Sequence, residues 1–162
     1  MKTISEIDPK TLVYVDQTGI DQFLYREYAW ALRNHRAYGE VSGRKFKRSS
    51  IVAGKCQKRI IAPLQYEGTM NGQLMEWWFE TCLLRQIPRG STIVLDNARF
   101  HRKAELRDLA AAAGCFVLFL PPYSPDLNPI ELFWAWLKQK LRSLLPYCES
   151  LDNALTACFQ IW

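Results

Sequence analysis

Three short apolar runs along the chain each end sharply, two at an acid and one at a proline pair. Leu12-Val13-Tyr14-Val15 runs into Asp16, Ile93-Val94-Leu95 into Asp96, and Phe116 to Leu120 into Pro121-Pro122. Each is short, rich in β-branched or aromatic side chains and apolar on both faces, as a strand buried inside a sheet is. Weaker segments with alternating apolar and polar positions lie around 28–38, 46–54 and 59–66. Gly39, Ser42-Gly43, Gly54 and Gly68 punctuate them, and they read as antiparallel hairpin strands.

Helical spacing takes over further along. Asn71 can cap a helix that carries Leu74, Trp77, Trp78 and Cys82 on one side and ends before Pro88-Arg89-Gly90. Residues 101–113 read as a second helix, stopped by Gly114. Residues 129–145 form the strongest pattern, with Ile130, Trp134, Leu137 and Leu141 on one stripe. A short helix over 149–160 closes the chain. The order predicts an α/β fold, a mixed sheet with helices on both faces.

Composition sets the scale. The 162 residues suit one domain, and 49% hydrophobic content is enough to fill a core. No run of about 18 apolar residues predicts a membrane helix, and the first residues lack the apolar stretch of a signal peptide. Five cysteines, none in a Cys-x-x-Cys pair, argue against a disulfide framework and for a reducing cytosol. Two histidines exclude a His-rich metal site but leave room for a hard ion held by carboxylates.

The net charge of +5 is unevenly spread. Residues 26–59 hold ten Lys and Arg, among them Arg36, Arg44, Lys45, Lys47 and Arg48, against two acids, Glu27 and Glu40. Trp30, His35, Tyr38 and Phe46 interleave with them. Such a stretch suits a phosphate backbone, and it also suits a solvated hairpin face.

The candidate chemistry lies in three acids. Asp16 and Asp96 each follow a buried run, where a charged carboxylate is costly unless compensated. If the two strands are parallel neighbours, both acids emerge together at the carboxyl ends, where open α/β sheets place their sites. Each could instead be an Asx turn former. Glu131 opens the third helix after Asn128-Pro129. With Asn128 as N-cap and Pro129 first in the helix, Glu131 falls at the third position, so it is either a capping-box partner or a group facing a cleft. Asp126 is a competing third ligand in a Pro-flanked turn. Together two strand acids and a helix-start acid supply the oxygen ligands of a two-ion site for phosphodiester chemistry. Asn97 and His101 are auxiliary candidates at Asp96. Trp77, Trp78, Trp134 and Trp136 fall near apolar stripes and read as core. Arg99 and Arg102 flank the second acid, and Lys138 and Arg142 lie farther along the third helix. All four are candidates for DNA contact or for simple solvation.

The segments Val15-Asp16-Gln17-Thr18-Gly19-Ile20, Leu95-Asp96-Asn97-Ala98-Arg99-Phe100-His101 and Leu120-Pro121-Pro122-Tyr123-Ser124-Pro125-Asp126-Leu127-Asn128-Pro129-Ile130-Glu131 resemble the DDE transposases of the mariner superfamily, in particular the bacterial insertion-sequence branch. The 34 residues between Asp96 and Glu131 match that group's spacing. The Pro-Pro-Tyr-Ser-Pro-Asp-Leu-Asn-Pro-Ile-Glu string carries most of the specificity. The resemblance implies a ribonuclease H-like fold with a five-stranded mixed sheet. It implies that Asp16, Asp96 and Glu131 hold two Mg²⁺ ions, for which Mn²⁺ can substitute, and that the enzyme cleaves transposon ends and joins them to target DNA. It further implies double-stranded DNA as partner, a homodimer in the DNA complex and a bacterial cytoplasmic setting. Gln17 stands where many relatives have Glu. Asp16 arrives so early that the helix-turn-helix modules which precede this domain in relatives are expected to be absent, supplied by an upstream reading frame or a fusion. The rivals are a catalytically silent DNA-binding or regulatory fragment and another nuclease of the same fold.

Overall fold

The computed structural model describes residues 4–20, 49–121 and 127–162. The cations Arg36, Arg44, Lys45, Lys47 and Arg48, the 28–38 segment and Asp126 lie outside the described residues.

Five strands form one sheet: β1 (Leu12–Ile20), β2 (Ser49–Cys56), β3 (Arg59–Tyr66), β4 (Thr92–Leu95) and β5 (Phe116–Phe119), in the order β3-β2-β1-β4-β5. The first three pair antiparallel; β1 with β4 and β4 with β5 pair parallel. The helices are α1 (Gly72–Trp78), α2 (Lys103–Ala112), α3 (Ile130–Leu144) and α4 (Leu151–Ile161). Long crossovers carrying helices are what parallel pairs require.

Both sheet faces are covered. Val13, Val15, Val52, Ile93 and Leu95 pack with Met75, Trp78, Phe79, Leu106 and Ala110 from the α1 and α2 side. Ile20, Ile51 and Ala53 pack on the opposite face with Ile130, Phe133, Trp134, Leu137 and Leu141 of α3 and with α4. The third-helix stripe read from the sequence is therefore the buried one. Among the described residues no helix is long and apolar enough to cross a membrane.

Three expectations change. β1 does not stop at Asp16 but runs on to Ile20, because β2 continues to pair with it there; Asp16 lies mid-strand, opposite Ala53. It is not a turn former. β5 is not a buried central strand. It sits at the sheet edge with Phe116 largely exposed, and aromatic character alone does not tell edge from centre. In the first helix Asn71 does cap, its side-chain oxygen accepting from Leu74 N–H at 2.9 Å. The buried stripe there is Met75, Trp78, Phe79 and Leu83, while Trp77 is half exposed. A π-helical turn over Phe79–Leu83 inserts an extra residue and rotates the face away from a simple 3.6 period.

Candidate active site

The sheet brings Asp16 and Asp96 together by register. Tyr14 pairs with Val94 across the parallel β1–β4 seam. Carrying that register two residues on sets Asp16 beside Asp96, just where β4 has ended. Side chains alternate along a strand, so Asp16 shares the Tyr14 face, and Ile20 of that face packs under α3. The third acid lies on this side. Glu131 stands in the first turn of α3 and is exposed.

Burial foremost, with the negative charges of Glu131 and Asp96, raises the Asp16 carboxyl to about 7 against lowering hydrogen bonds from the Gln17 backbone and the Trp134 side chain. A carboxyl in this state is short of positive charge.

Asp96 is held from its own loop. His101, buried with its ring edge-on to Phe100 (centroids 4.4 Å apart), places Nδ1 3.1 Å from the Asp96 backbone oxygen and 3.3 Å from Oδ1. A carbonyl oxygen only accepts, so Nδ1 carries the proton. Burial lowers the His101 pKa, which keeps the ring neutral at pH 7. The Asp96 Oδ1 also accepts from Ala98 N–H at 3.3 Å, so the Asx turn exists alongside any ligand role. Asn97 is exposed.

The start of α3 differs from the capping-box expectation. The helix begins at Ile130 with Pro129 at the N-cap, and no side chain caps it. Asn128 instead turns inward, its amide donating to the Val15 carbonyl at 3.5 Å, with its own Oδ1 buried and unpartnered. Its backbone oxygen accepts Glu131 N–H at 3.1 Å. One turn on, the Trp134 indole N–H donates to Asp16 Oδ2 at 3.0 Å. Sequence reasoning placed Trp134 in the core alone. It is in the core, and the signal for more was its one polar atom, three residues after Glu131 on the same helical face. Gln17 points to the other face, where its Oε1 accepts from Tyr66 O–H at 2.7 Å. A small cavity on this Gln17 face, lined by Val52, Met75, Asp96 and His101 among others, lies on the side of the sheet away from α3.

The candidate cations separate. Arg102 is already paired, its guanidinium forked onto the Glu76 carboxylate. Arg99 is exposed in the loop after Asp96, and Lys138 is half-buried on α3. Lys55, Lys58 and Arg59, the described end of the basic stretch, sit on the β2–β3 hairpin, where Lys55 pairs with Tyr14 and the chain runs toward the Leu12 end of β1. That end points away from the Asp96 loop.

The DDE superfamily endonuclease family model matches residues 11–152. The chain belongs to that family. It is 26% identical over 127 residues to the uncharacterized protein y4pE/y4sA of Sinorhizobium fredii (strain NBRC 101917 / NGR234), covering 77% of this chain and 80% of that one. It is 30% identical over 82 residues to the transposable element Tc1 transposase of Caenorhabditis elegans, covering 51% of this chain and 28% of that protein. Among solved structures, a Mos1 transposase paired-end complex with the left transposon end superposes with a TM-score of 0.66 at 20% identity, over 94% of this chain and 51% of that one. A Mos1 mariner paired-end complex with Mn gives 0.63 at 18%, over 94% and 54%. The catalytic core domain of BIV integrase gives 0.54 at 13%, over 93% and 81%. The fold is thus the ribonuclease H-like fold of transposase and integrase catalytic cores, and the chain spans about half the length of the Mos1 chains it matches.

Proposed function

We propose that this chain is the catalytic domain of a mariner-type transposase, acting on double-stranded DNA by divalent-ion-dependent cleavage at transposon ends and strand transfer into a target. The observation that carries the reading is Asp16, a largely buried acid set beside Asp96 by the β1–β4 register and bonded to the helix that bears Glu131. A site that gathers like charges around a buried acid gains most from a cation, and an all-oxygen donor set fits Mg²⁺ or Mn²⁺. Among the described residues no group of three His, Cys, Asp or Glu side chains stands ready to hold a metal ion. Asp16, Asp96 and Glu131 are the residues that would hold the ions. When bound, such ions supply Lewis-acid stabilisation and an activated attacking oxygen.

The chain's own residues do the positioning. In this reading His101 holds Asp96, the β1–β4 register sets the spacing of the two aspartates, and α3 presents Glu131 on the Asp16 face of the sheet. Asp16 gives up its proton to take a cation, so divalent affinity rises with pH through neutrality. The DNA complexes among the structural relatives support duplex DNA as the partner, with Arg99, Lys138 and the 36–48 cations as its contacts. A homodimer in the DNA complex and a helix-turn-helix partner from an upstream frame complete the reading, as does a bacterial cytoplasmic setting.

The second reading, a silent DNA-binding fragment, is favoured by the absence of a ready-made ligand triplet among the described residues. A supercoiled plasmid incubated with purified chain and Mn²⁺, beside Asp96→Asn, separates the two. Nicking by the wild type that the variant lacks supports the enzyme. DNA retained in a gel shift with no nicking by either supports the silent fragment.

A further inference from the structure

We infer that Trp134 is a positioning residue for Asp16: its indole N–H engages one carboxylate oxygen and restricts how the carboxyl can turn. The inference rests on the reading of Asp16 as a metal ligand.

The geometry supports it at each step. The Nε1–Oδ2 distance is 3.0 Å, within the normal range. An indole N–H is a donor only, and a buried one is costly to leave unpaired. The Trp134 ring is 2% exposed and packs against Phe133, with centroids 5.0 Å apart, so it cannot swing to follow a moving acceptor. The backbone of Asp16 is likewise fixed, paired with Ala53 in the middle of β1. What remains free on Asp16 is rotation of its side chain, which the indole bond restrains together with the hydrogen bond from the Gln17 backbone. The donor also belongs to the helix that bears Glu131, one turn away. A single bond therefore couples the strand-borne acid to the element that carries the third acid. Asp96 has a different partner, the His101 ring, whose Nδ1 bonds its backbone oxygen at 3.1 Å and lies 3.3 Å from Oδ1. Partners that orient a ligand in this way are commonly worth about 10–100-fold in metal affinity.

The test uses the whole chain labelled with ¹⁵N-tryptophan. Trp134→Phe keeps a ring of similar character, removes the donor and assigns the Trp134 indole resonance by its disappearance. That resonance is expected to shift on Asp16→Ala without metal, and to shift in the wild type on titration with Mg²⁺. Calorimetry is expected to show Mg²⁺ binding roughly tenfold weaker in Trp134→Phe at unchanged native fold, with no further loss when Trp134→Phe is added to Asp16→Ala. If Trp134→Phe does not fold, benzothienylalanine at position 134, which has the shape of Trp without the N–H, serves in its place. Equal Mg²⁺ affinity in the wild type and the donor-less variant overturns the inference alone. So does an indole resonance indifferent to Asp16→Ala. No Mg²⁺ uptake by the wild type is a different result: it overturns the metal reading and this inference with it.

Discussion

His101, its side chain only 4% exposed, sets Nδ1 3.1 Å from the backbone oxygen of Asp96 and 3.3 Å from that residue's Oδ1. One ring thus holds both the chain and the carboxyl at the point where β4 ends. His101→Ala is expected to cost about 1–3 kcal/mol, as the loss of a buried, hydrogen-bonded ring does, and to reduce nicking further than the loss of folded protein explains. His101→Asn, whose amide nitrogen lies near the Nδ1 position, is expected to recover part of the activity. Thermal melts read beside nicking assays at a temperature where both variants are folded check this. Asn no better than Ala would argue against a role through Asp96.

The raised Asp16 carboxyl gives a pH dependence of known sign. Its folded value of about 7 lies above the ordinary 3.8. Between those values the folded state holds a proton that the unfolded state has released. Stability from this group is full below about pH 4 and is lost as pH rises toward 7, at up to about 1.4 kcal/mol per pH unit. In EDTA, the Tm of the wild type relative to Asp16→Asn is expected to fall from pH 5 to pH 7.5. Added Mg²⁺ at pH 8 is expected to raise the wild-type Tm and leave the variant's unchanged. Parallel curves in EDTA would show that Asp16 is not a strained acid.

Glu131→Gln separates capping from chemistry. No side chain caps α3, and Glu131 is exposed. The substitution is expected to change stability by no more than about 0.5 kcal/mol, to abolish nicking and to lower the Asp16 pKa by removing a neighbouring negative charge. Nicking is read on plasmid, and the pKa by NMR titration of the carboxyl carbon. A loss of Tm in proportion to the loss of activity would return Glu131 to a structural role.

Arg102 pairs in a fork with Glu76 across α1 and the start of α2. Its charge is already met, so Arg102→Gln is expected to lower stability by up to about 1 kcal/mol and to change DNA affinity less than Lys138→Gln does. Glu76→Gln combined with Arg102→Gln is expected to cost less than the sum of the two. Gel shifts at two salt concentrations and melts of the three variants measure this. A larger DNA effect from Arg102→Gln would place Arg102 on the DNA instead.

Much of the architecture was legible because it rests on local pattern. The β-branched runs at 12–15 and 93–95 became β1 and β4, and the stripe Ile130, Trp134, Leu137 and Leu141 became the buried side of α3. What escaped depended on partners far along the chain. That β1 runs past Asp16 depends on its pairing with β2. That β5 is an edge strand follows from topology, not from Phe116 or Phe119 themselves. In the site, the acids were legible because a charged residue beside an apolar run stands out. Trp134 was not, since an aromatic on an apolar stripe satisfies the core pattern completely. Only its distance to Asp16, 118 residues earlier, reveals the second task of its N–H. Asn128 was assigned the local duty of capping, and the long-range bond to Val15 displaced it.

The central claim is that Asp16, Asp96 and Glu131 share a divalent-ion site. Replacing Mg²⁺ by Fe²⁺ and adding peroxide and ascorbate cuts a polypeptide where the ion sits, and mapping the fragments tests the claim directly. The account predicts cuts near residues 16, 96 and 131 in the wild type, suppressed by excess Mg²⁺ and lost in both Asp16→Asn and Asp96→Asn. Cuts elsewhere, or cuts unchanged by either substitution, would contradict it.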